Sequence, residues 1–338
     1  MLTTSLSERF GLTLPVVSAG MAFVAGPRLA AAVSNAGGLG MLGGAMAPPE
    51  GLAGLVAATR GLTPRPFGVD LVTPFVEDSH IAVLAQVRPA VVVFFWGTPK
   101  QAWIARLQEA GIEVWMQVGR VAEALEAADA GVDAIIAQGS EAGGHNRAEA
   151  TTMTLLPAVI RAVAPLPVLA AGGVADGRAL VAVLAMGAEA AWCGTRFLAS
   201  EEADAHPGYK QAVIEAGVGD TVRTTLFGPE WPGEPVRALR NAAVRDWAGH
   251  EDEAARLPAE IVGETVIGAS RVAMPRFSAI LPTEATSGNL GQMCLTAGEA
   301  AGNIAQVLPA AAIIEAFRRE AADALRLLAG RSPRKAAA

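Results

Sequence analysis

The chain is poor in charge and in cysteine, and it has no long apolar run. Charged residues make up 17% of its 338 positions. An average soluble domain carries roughly 25%, so this chain must bury a large core. There is no surplus of positive charge either: 26 basic residues stand against 33 acidic ones, a net of −7. That balance argues against a nucleic-acid or anionic-membrane surface. Two cysteines, Cys193 and Cys294, cannot make a disulfide framework. No apolar stretch approaches the roughly 20 residues of a membrane span; residues 90–96 are apolar but bounded by Pro89 and Gly97. Residues 1–9 are polar and lack a signal-peptide pattern. No His, Cys and Asp spacing reads as a metal site. The expectation is a reduced, cytoplasmic protein.

What is present is rhythm. Apolar runs recur at 16–21, 38–44, 67–72, 91–96, 113–118, 134–138, 168–173 and 190–197. They fall about every 20–35 residues, the length of a strand with its crossover helix. Runs such as 91–95 are apolar throughout, as strands covered on both faces are. The helices between them carry punctuation. Residues 27–35 open on Pro27 and end before Gly37-Gly38. Residues 101–110 stop at Gly111 and 122–130 stop at Gly131. Asp176 can cap 178–186, which stops at Gly187. Eight parallel strands in this order predict an α/β fold, a (β/α)8 barrel, rather than an open sheet.

The rhythm breaks after Gly219. Residues 221–286 are rich in Arg, Trp, Pro and Glu. They predict a small, mainly helical insertion over the barrel mouth, with helices at 238–247 and 251–256. The barrel then comprises 1–220 and 287–338, with closing helices at 298–314 and 314–328 and a basic, frayed tail at 330–338.

Barrel active sites form at the C-terminal ends of the strands. Those ends read Gly20-Met21, Asp70, Gln117, Gln138 followed by Gly143-Gly144-His145, Ala171-Gly172-Gly173, and Trp192-Cys193-Gly194-Thr195. Glycines after the seventh and eighth strands suit a phosphate, because backbone N–H groups can approach it closely. The carboxamide and carboxyl groups of Gln117, Gln138 and Asp70 suit the edge of a planar heterocycle, with Met21 against its ring. His145 can exchange a proton near neutral pH.

These segments resemble a known family. Residues 15–21, Ala36-Gly37-Gly38-Leu39-Gly40, Arg65-Pro66-Phe67-Gly68-Val69, the segment from Gln138 to His145, the run from Ala171 to Arg178, and Gly194-Thr195-Arg196-Phe197-Leu198 are similar, taken together, to the nitronate monooxygenases. These are flavin-dependent barrels related to flavin-dependent enoyl reductases. The resemblance covers almost the whole chain and implies FMN, held by Gly20, Met21, Asp70, Gln138, Gly143, Gly173 and residues 192–195. It places the phosphate near Gly172-Gly173 and Gly194-Thr195; Gln117, Gly144 and Ala171 complete the candidate cofactor set. His145 inherits the proton-transfer role. The implied reaction is oxidation of an alkyl nitronate with O2 to a carbonyl compound and nitrite. Three positions depart from the family: Asp70 where Asn is common, Gln117 where some members carry Lys, and Glu299 where Gln is frequent.

Other readings stay open. One is an NAD(P)H-dependent reductase of a quinone or enoyl thioester. Another is a flavin-free lyase or isomerase with a phosphorylated substrate, and a distant third is a flavin- or partner-binding module without turnover. Lys100 suggests a Schiff-base aldolase but lies beyond the strand and reads as a surface residue. Cys193 reads as strand packing, Asp176 as a cap, and His80, His206 and His250 as structural or surface groups. Trp231, Trp247 and Phe227 fit either the mouth lining or packing of the insertion. The partners expected are a small-molecule substrate and O2, with no nucleic acid and no membrane; a homodimer is compatible with the chain.

Overall fold

All eight apolar runs form strands in the computed structural model, which describes residues 2–268 and 270–330. They are β1 (Val16–Ser18), β2 (Gly40–Gly43), β3 (Phe67–Val72), β4 (Val91–Phe95), β5 (Glu113–Val118), β6 (Ala134–Gln138), β7 (Val168–Ala171) and β8 (Ala190–Cys193). In space they run β1-β8-β7-β6-β5-β4-β3-β2, each neighbour parallel to the next. The two ends meet: Ser18 N–H donates to the Leu39 carbonyl and Leu39 N–H to that of Val16, both at 3.0 Å. The sheet is therefore a (β/α)8 barrel. Several strands stop short of their apolar runs. Trp96, Gly172 and Gly173 have φ of 71°, 108° and 76°, outside the extended region, and Thr195–Leu198 turns into a short helix.

The period-2 alternation of strand side chains divides the core in two. Val17, Met41, Val91, Val93, Trp115, Ile136, Leu169 and Trp192 fill the barrel interior. Val16, Leu42, Val69, Val92, Val114, Ile135, Val168 and Cys193 face the surrounding helices. The N-terminal helix Ser5–Arg9 closes the bottom, where Leu6 joins the interior cluster and Phe10 meets the edge of Trp115 at 5.7 Å. Helix Pro27–Asn35 carries its proline in the first turn. The Asp176 carboxylate caps Gly177–Ala185 through Ala179 N–H at 2.7 Å.

The segment 221–286 is not mainly helical. It holds the strands Thr221–Thr224 and Val236–Leu239, paired antiparallel, and the ribbon Ile261–Ile267 with Ser270–Pro275. Among its described residues the helices are Ala242–Trp247 and Glu251–Ala254. The apolar positions 238, 239, 243, 244 and 247 imitate a helical stripe, but the first two belong to a strand. The helix begins where Asn241 accepts a hydrogen bond from Val244 N–H at 3.1 Å. Nor do 298–314 form a helix. A 3-10 turn, Glu299–Asn303, is followed by an irregular stretch to Pro309, and one long helix then runs Ala310–Ala329. Gly302 and Pro309 interrupt the helical pattern there. The basic tail 331–338 lies outside the described residues. No helix among the described residues is long and apolar enough to cross a membrane.

Candidate active site

Alternation also places the polar groups. Trp115 and Ile136 point into the barrel, so Gln117 and Gln138, two residues on, point inward at its upper rim. Asp70 lies two residues after Gly68 and joins them there. The candidate catalytic and cofactor residues all line one cleft at these strand ends: Gly20, Met21, Asp70, Gln117, Gln138, Gly143, Gly144, His145, Ala171, Gly172, Gly173, Trp192, Cys193, Gly194 and Thr195. The cleft encloses about 1530 Å³ out to its open mouth. Glu230, Trp231, Val236 and residues 279–281 of the inserted segment line it too.

Two backbone features shape its floor. At Gly20 an added Cβ would lie 2.2 Å from the Asp70 Cβ and 2.8 Å from the Leu42 carbonyl oxygen, so only glycine lets Asp70 sit there. At Gly172 and Gly173 the chain turns twice through positive φ, a geometry that favours glycine. The N–H groups of Gly173 and Gly194 donate to no group among the described residues. Thr195 accepts from Gly298 N–H through its hydroxyl at 2.9 Å, pinning the closing segment beside this turn. None of the described residues lining the cleft is Lys or Arg. An anionic ligand group would therefore rest on backbone N–H groups and the Thr195 hydroxyl.

His145 is held by a strand pairing that joins barrel and insertion. Gly144–His145 forms a two-residue strand against Val236 and Arg237, and Gln138 Nε2 donates to the His145 carbonyl at 3.2 Å. Its ring lies 4.6 Å from Trp231 and 5.8 Å from Trp96, centroid to centroid. Burial pushes the imidazole pKa down to about 4, against a partial upward pull from the Glu230 carboxylate. Nε2 is buried without a partner, as are Asp70 Oδ1 and Gln138 Oε1. Unpaired buried polar atoms are costly. Three of them facing one cleft mark a place where a polar ligand completes the hydrogen bonding.

Asp70 answers one departure from the family pattern. Burial raises its carboxyl well above the usual carboxylate range. A neutral carboxyl has one O–H donor besides its acceptor oxygen, so it can offer the donor-and-acceptor pair that Asn would. Glu299 ion-pairs with Arg237 at 3.2 Å, a charge partner that Gln would not be. Gln117 brings no charge to the rim. Cys193 packs against the helix layer, and burial lifts its thiol to about 12, so it remains protonated. Lys100 pairs with Asp78 at 3.2 Å on the surface and does not line the cleft. Trp247 and Phe227 pack within a separate core cluster; Trp231 lines the cleft. Sequence reasoning missed Trp96, Phe75, Glu141 and Glu230. Among the described residues no group of three or more His, Cys, Asp or Glu is placed to hold a metal ion.

The imidazole makes stability depend on pH. The unfolded chain binds a proton at His145 near 6.5 and the folded one only near 4, so the unfolded state gains protons first as pH falls. Stability from this group is full above about pH 6.5 and is lost on acidification toward pH 4. The loss reaches about 2–3 kcal/mol near pH 4. Asp70 works in the opposite sense, since its folded pKa is raised: its burden on stability is relieved as pH falls. Denaturant unfolding at pH 7 and pH 4.5 isolates His145 when wild type is compared with His145→Gln. The variant should lose about 2–3 kcal/mol less between the two pH values; an identical loss would remove the imidazole as the cause.

A barrel with a ligand cleft at its strand ends, a glycine turn on one side and a half-buried imidazole on the other defines a cofactor-dependent barrel enzyme. The nitronate monooxygenase family model matches residues 3–79 and 72–320, and the chain belongs to that family, one of flavin-dependent oxidoreductases. A nitronate monooxygenase of Paraburkholderia phytofirmans is 31% identical over 363 aligned positions, spanning 94% of each chain. A Mycobacterium tuberculosis protein named (3aS,4S,5R,7aS)-5-hydroxy-7a-methyl-1-oxo-octahydro-1H-indene-4-carboxyl-CoA dehydrogenase is 42% identical over 246 positions, 72% of this chain and 68% of that one. The solved structure of FabK from Thermotoga maritima superposes with a TM-score of 0.81 at 33% identity, covering 98% of this chain and all of that one.

Proposed function

We propose that the cleft binds FMN and that the protein is an FMN-dependent oxidoreductase whose leading reaction is oxidation of an alkyl nitronate with O2. One observation carries the cofactor reading. Three unpartnered buried polar atoms, on Asp70, Gln138 and His145, share one cleft with the two-glycine turn at Gly172-Gly173. The residues fit the group: Gly173, Gly194 and Thr195 would hold its phosphate, and Asp70, Gln117 and Gln138 would meet the edge of its ring system. Met21 would lie against the ring. When bound, FMN supplies the electron transfer between substrate and oxygen.

The chain's own residues do the rest. His145, neutral at pH 7 because its pKa is about 4, accepts the carbon proton when the substrate arrives as a neutral nitroalkane. The same burial that weakens it as a base is offset as a nitronate anion forms beside the imidazolium. Val236 and Gln138 fix its backbone, and Trp96 and Trp231 exclude water. A cytoplasmic setting accords with the buried, unpaired thiols of Cys193 and Cys294.

A second reading is oxidoreduction of an acyl or enoyl thioester. The 42% identity to a protein named for a carboxyl-CoA substrate favours it.

Non-covalent FMN is expected to co-purify and to be released by heat, as read by absorbance and mass analysis of the supernatant. A colourless protein that does not take up added FMN would overturn the cofactor reading. Anaerobic mixing in turn with ethylnitronate, NADH, NADPH and a hydroxyacyl-CoA then separates the reactions. Bleaching of the flavin by nitronate supports the first reading; bleaching only by a nicotinamide or the thioester supports the second.

A further inference from the structure

The walls of the cleft around His145 carry more information than the cofactor reading uses. Strand β4 ends at Phe95, and the next residue, Trp96, takes φ of 71°. That left-handed backbone is strained for a bulky side chain and concentrates at functional sites. It brings the buried indole of Trp96 edge-on to His145, with an interplanar angle of 84°. From the opposite direction the inserted loop delivers Trp231, whose ring lies 4.7 Å from that of Trp96 and 4.6 Å from the imidazole. Phe75 extends the same wall, 5.5 Å from Trp231. Phe23 and Met46 line the cleft as well, also with positive φ, 65° and 61°. Large apolar side chains in strained backbone are thus gathered around one opening.

Trp96 is also a partition. A second cavity of about 630 Å³ adjoins the cleft, sharing Phe95 and Gln117 with it. Trp96 lines that second cavity together with Arg120, Arg147 and Glu123. The Arg147 guanidinium stacks over the indole at 5.1 Å and is tied to Glu123 at 3.4 Å. Apolar ground around His145 therefore gives way, across one indole, to charged ground.

We propose that Trp96 and Trp231 set the substrate range of the cleft: they select a substrate whose reacting carbon sits on an apolar, cyclic frame over one with a short chain. The proposal rests on the reading that substrate is handled beside His145, and it deepens that reading by naming the substrate's shape. Its physical basis is contact area. Each methylene buried against the indoles is worth about fourfold in affinity, and a ring places several there at once. A two-carbon chain leaves most of the wall wet. The selection works by two separable routes. Trp231 lines the cleft and supplies contact from the insertion, while Trp96 backs Trp231 and His145 from behind and separates the cleft from the charged cavity.

The test uses the flavin-loaded protein and two neutral probes, nitroethane and nitrocyclohexane. Oxygen is excluded so that the cycle cannot complete, and binding is read from the ring signals of His145 in histidine-labelled protein; the sequence has 4 histidines, so assignment by substitution is direct. Wild type should bind nitrocyclohexane at least about tenfold tighter than nitroethane. Trp231→Ala and Trp96→Ala should each erase most of that ratio, whereas Trp231→Phe should keep a good part of it. If an alanine variant does not fold, Trp231→Leu and Trp96→Leu replace it, with loss of the ratio again expected. The same spectra give a pH titration. The groups facing the imidazole are Glu230 on the loop of Trp231, Arg147 beyond Trp96, and Asp70 and Glu141 across the cleft. Admitting water in Trp231→Ala should move the His145 titration upward, toward 6.5. A wild type that binds neither probe, or shows no preference, overturns the proposal, as does a preference that survives both substitutions. Selective binding of nitrocyclohexane without oxidation of its nitronate would remove the nitronate reading and leave the role of the two tryptophans standing.

Discussion

Replacing His145 with alanine should keep the flavin and lose most activity on neutral nitroalkane, by about 10²–10⁴-fold, the usual cost of removing a general base. Activity on the preformed nitronate should fall much less. His145 is the one imidazole in the cleft. Its pKa of about 4 leaves it unprotonated and ready to accept at pH 7, and its Nε2 has no protein partner to release first. The nitronate has already lost the carbon proton, so its oxidation needs placement rather than a base. Steady-state kinetics on both substrates, normalised to flavin content, decides the matter. Equal losses would mean that His145 positions or charges the site; undiminished activity on both would place the proton transfer elsewhere. His145→Gln, which keeps bulk and a hydrogen-bonding group, should restore nitronate turnover without restoring turnover of the neutral compound.

The largest loss of stability is expected at the floor of the barrel, far from the chemistry. Trp115 is fully buried in the interior cluster. Its indole N–H donates to Glu113 at 2.9 Å, and Phe10 packs against it in a T-shaped pair. Truncation to alanine leaves a cavity that eight hydrogen-bonded strands cannot collapse to fill, and it takes from the Glu113 carboxylate the indole N–H it accepts from. The expected cost is about 3–5 kcal/mol, measured as a shift of the denaturant midpoint at unchanged slope. Flavin content in the folded fraction should be unaffected, because the cleft lies at the opposite end of the strands. A loss under about 1 kcal/mol would mean that the N-terminal helix and Phe10 settle into the space and that the floor is less rigid than its packing implies.

The two expectations draw on different ranges of the chain. Gln138 and His145 are seven residues apart and share one turn, so their association is local and readable. The same holds for Ala171-Gly172-Gly173, where glycine at two successive positions announces a backbone that other residues avoid. The floor is less local. The apolar character of residue 115 is plain in the sequence, but its contact with Phe10 depends on the N-terminal helix folding back beneath the barrel.

The insertion shows where local reading fails. The ribbon Ile261–Ile267 with Ser270–Pro275 had a signal that went unused: β-branched Ile261, Val262, Thr265, Val266 and Ile267 running into Gly268. The pairing of His145 with Val236 had none. It joins residues some ninety positions apart through backbone hydrogen bonds, which any side chains can make. Trp96 went unnoticed for a related reason. On a strand, its position alternates away from the cleft, and only the positive φ at the strand end turns its ring toward His145.

By itself the sequence determined the barrel, because eight apolar runs separated by capped helices have few other ways to bury that much surface. It also determined the rim, because a period of two carries Gln117 and Gln138 inward as surely as Trp115 and Ile136. The tertiary structure decided what these groups experience. It set the depressed pKa of His145, the raised carboxyl pKa of Asp70, the indole walls, and the inserted strand that locks the histidine in place. Those properties come from burial and from partners distant in the chain, and neither is written in the residues that carry the chemistry.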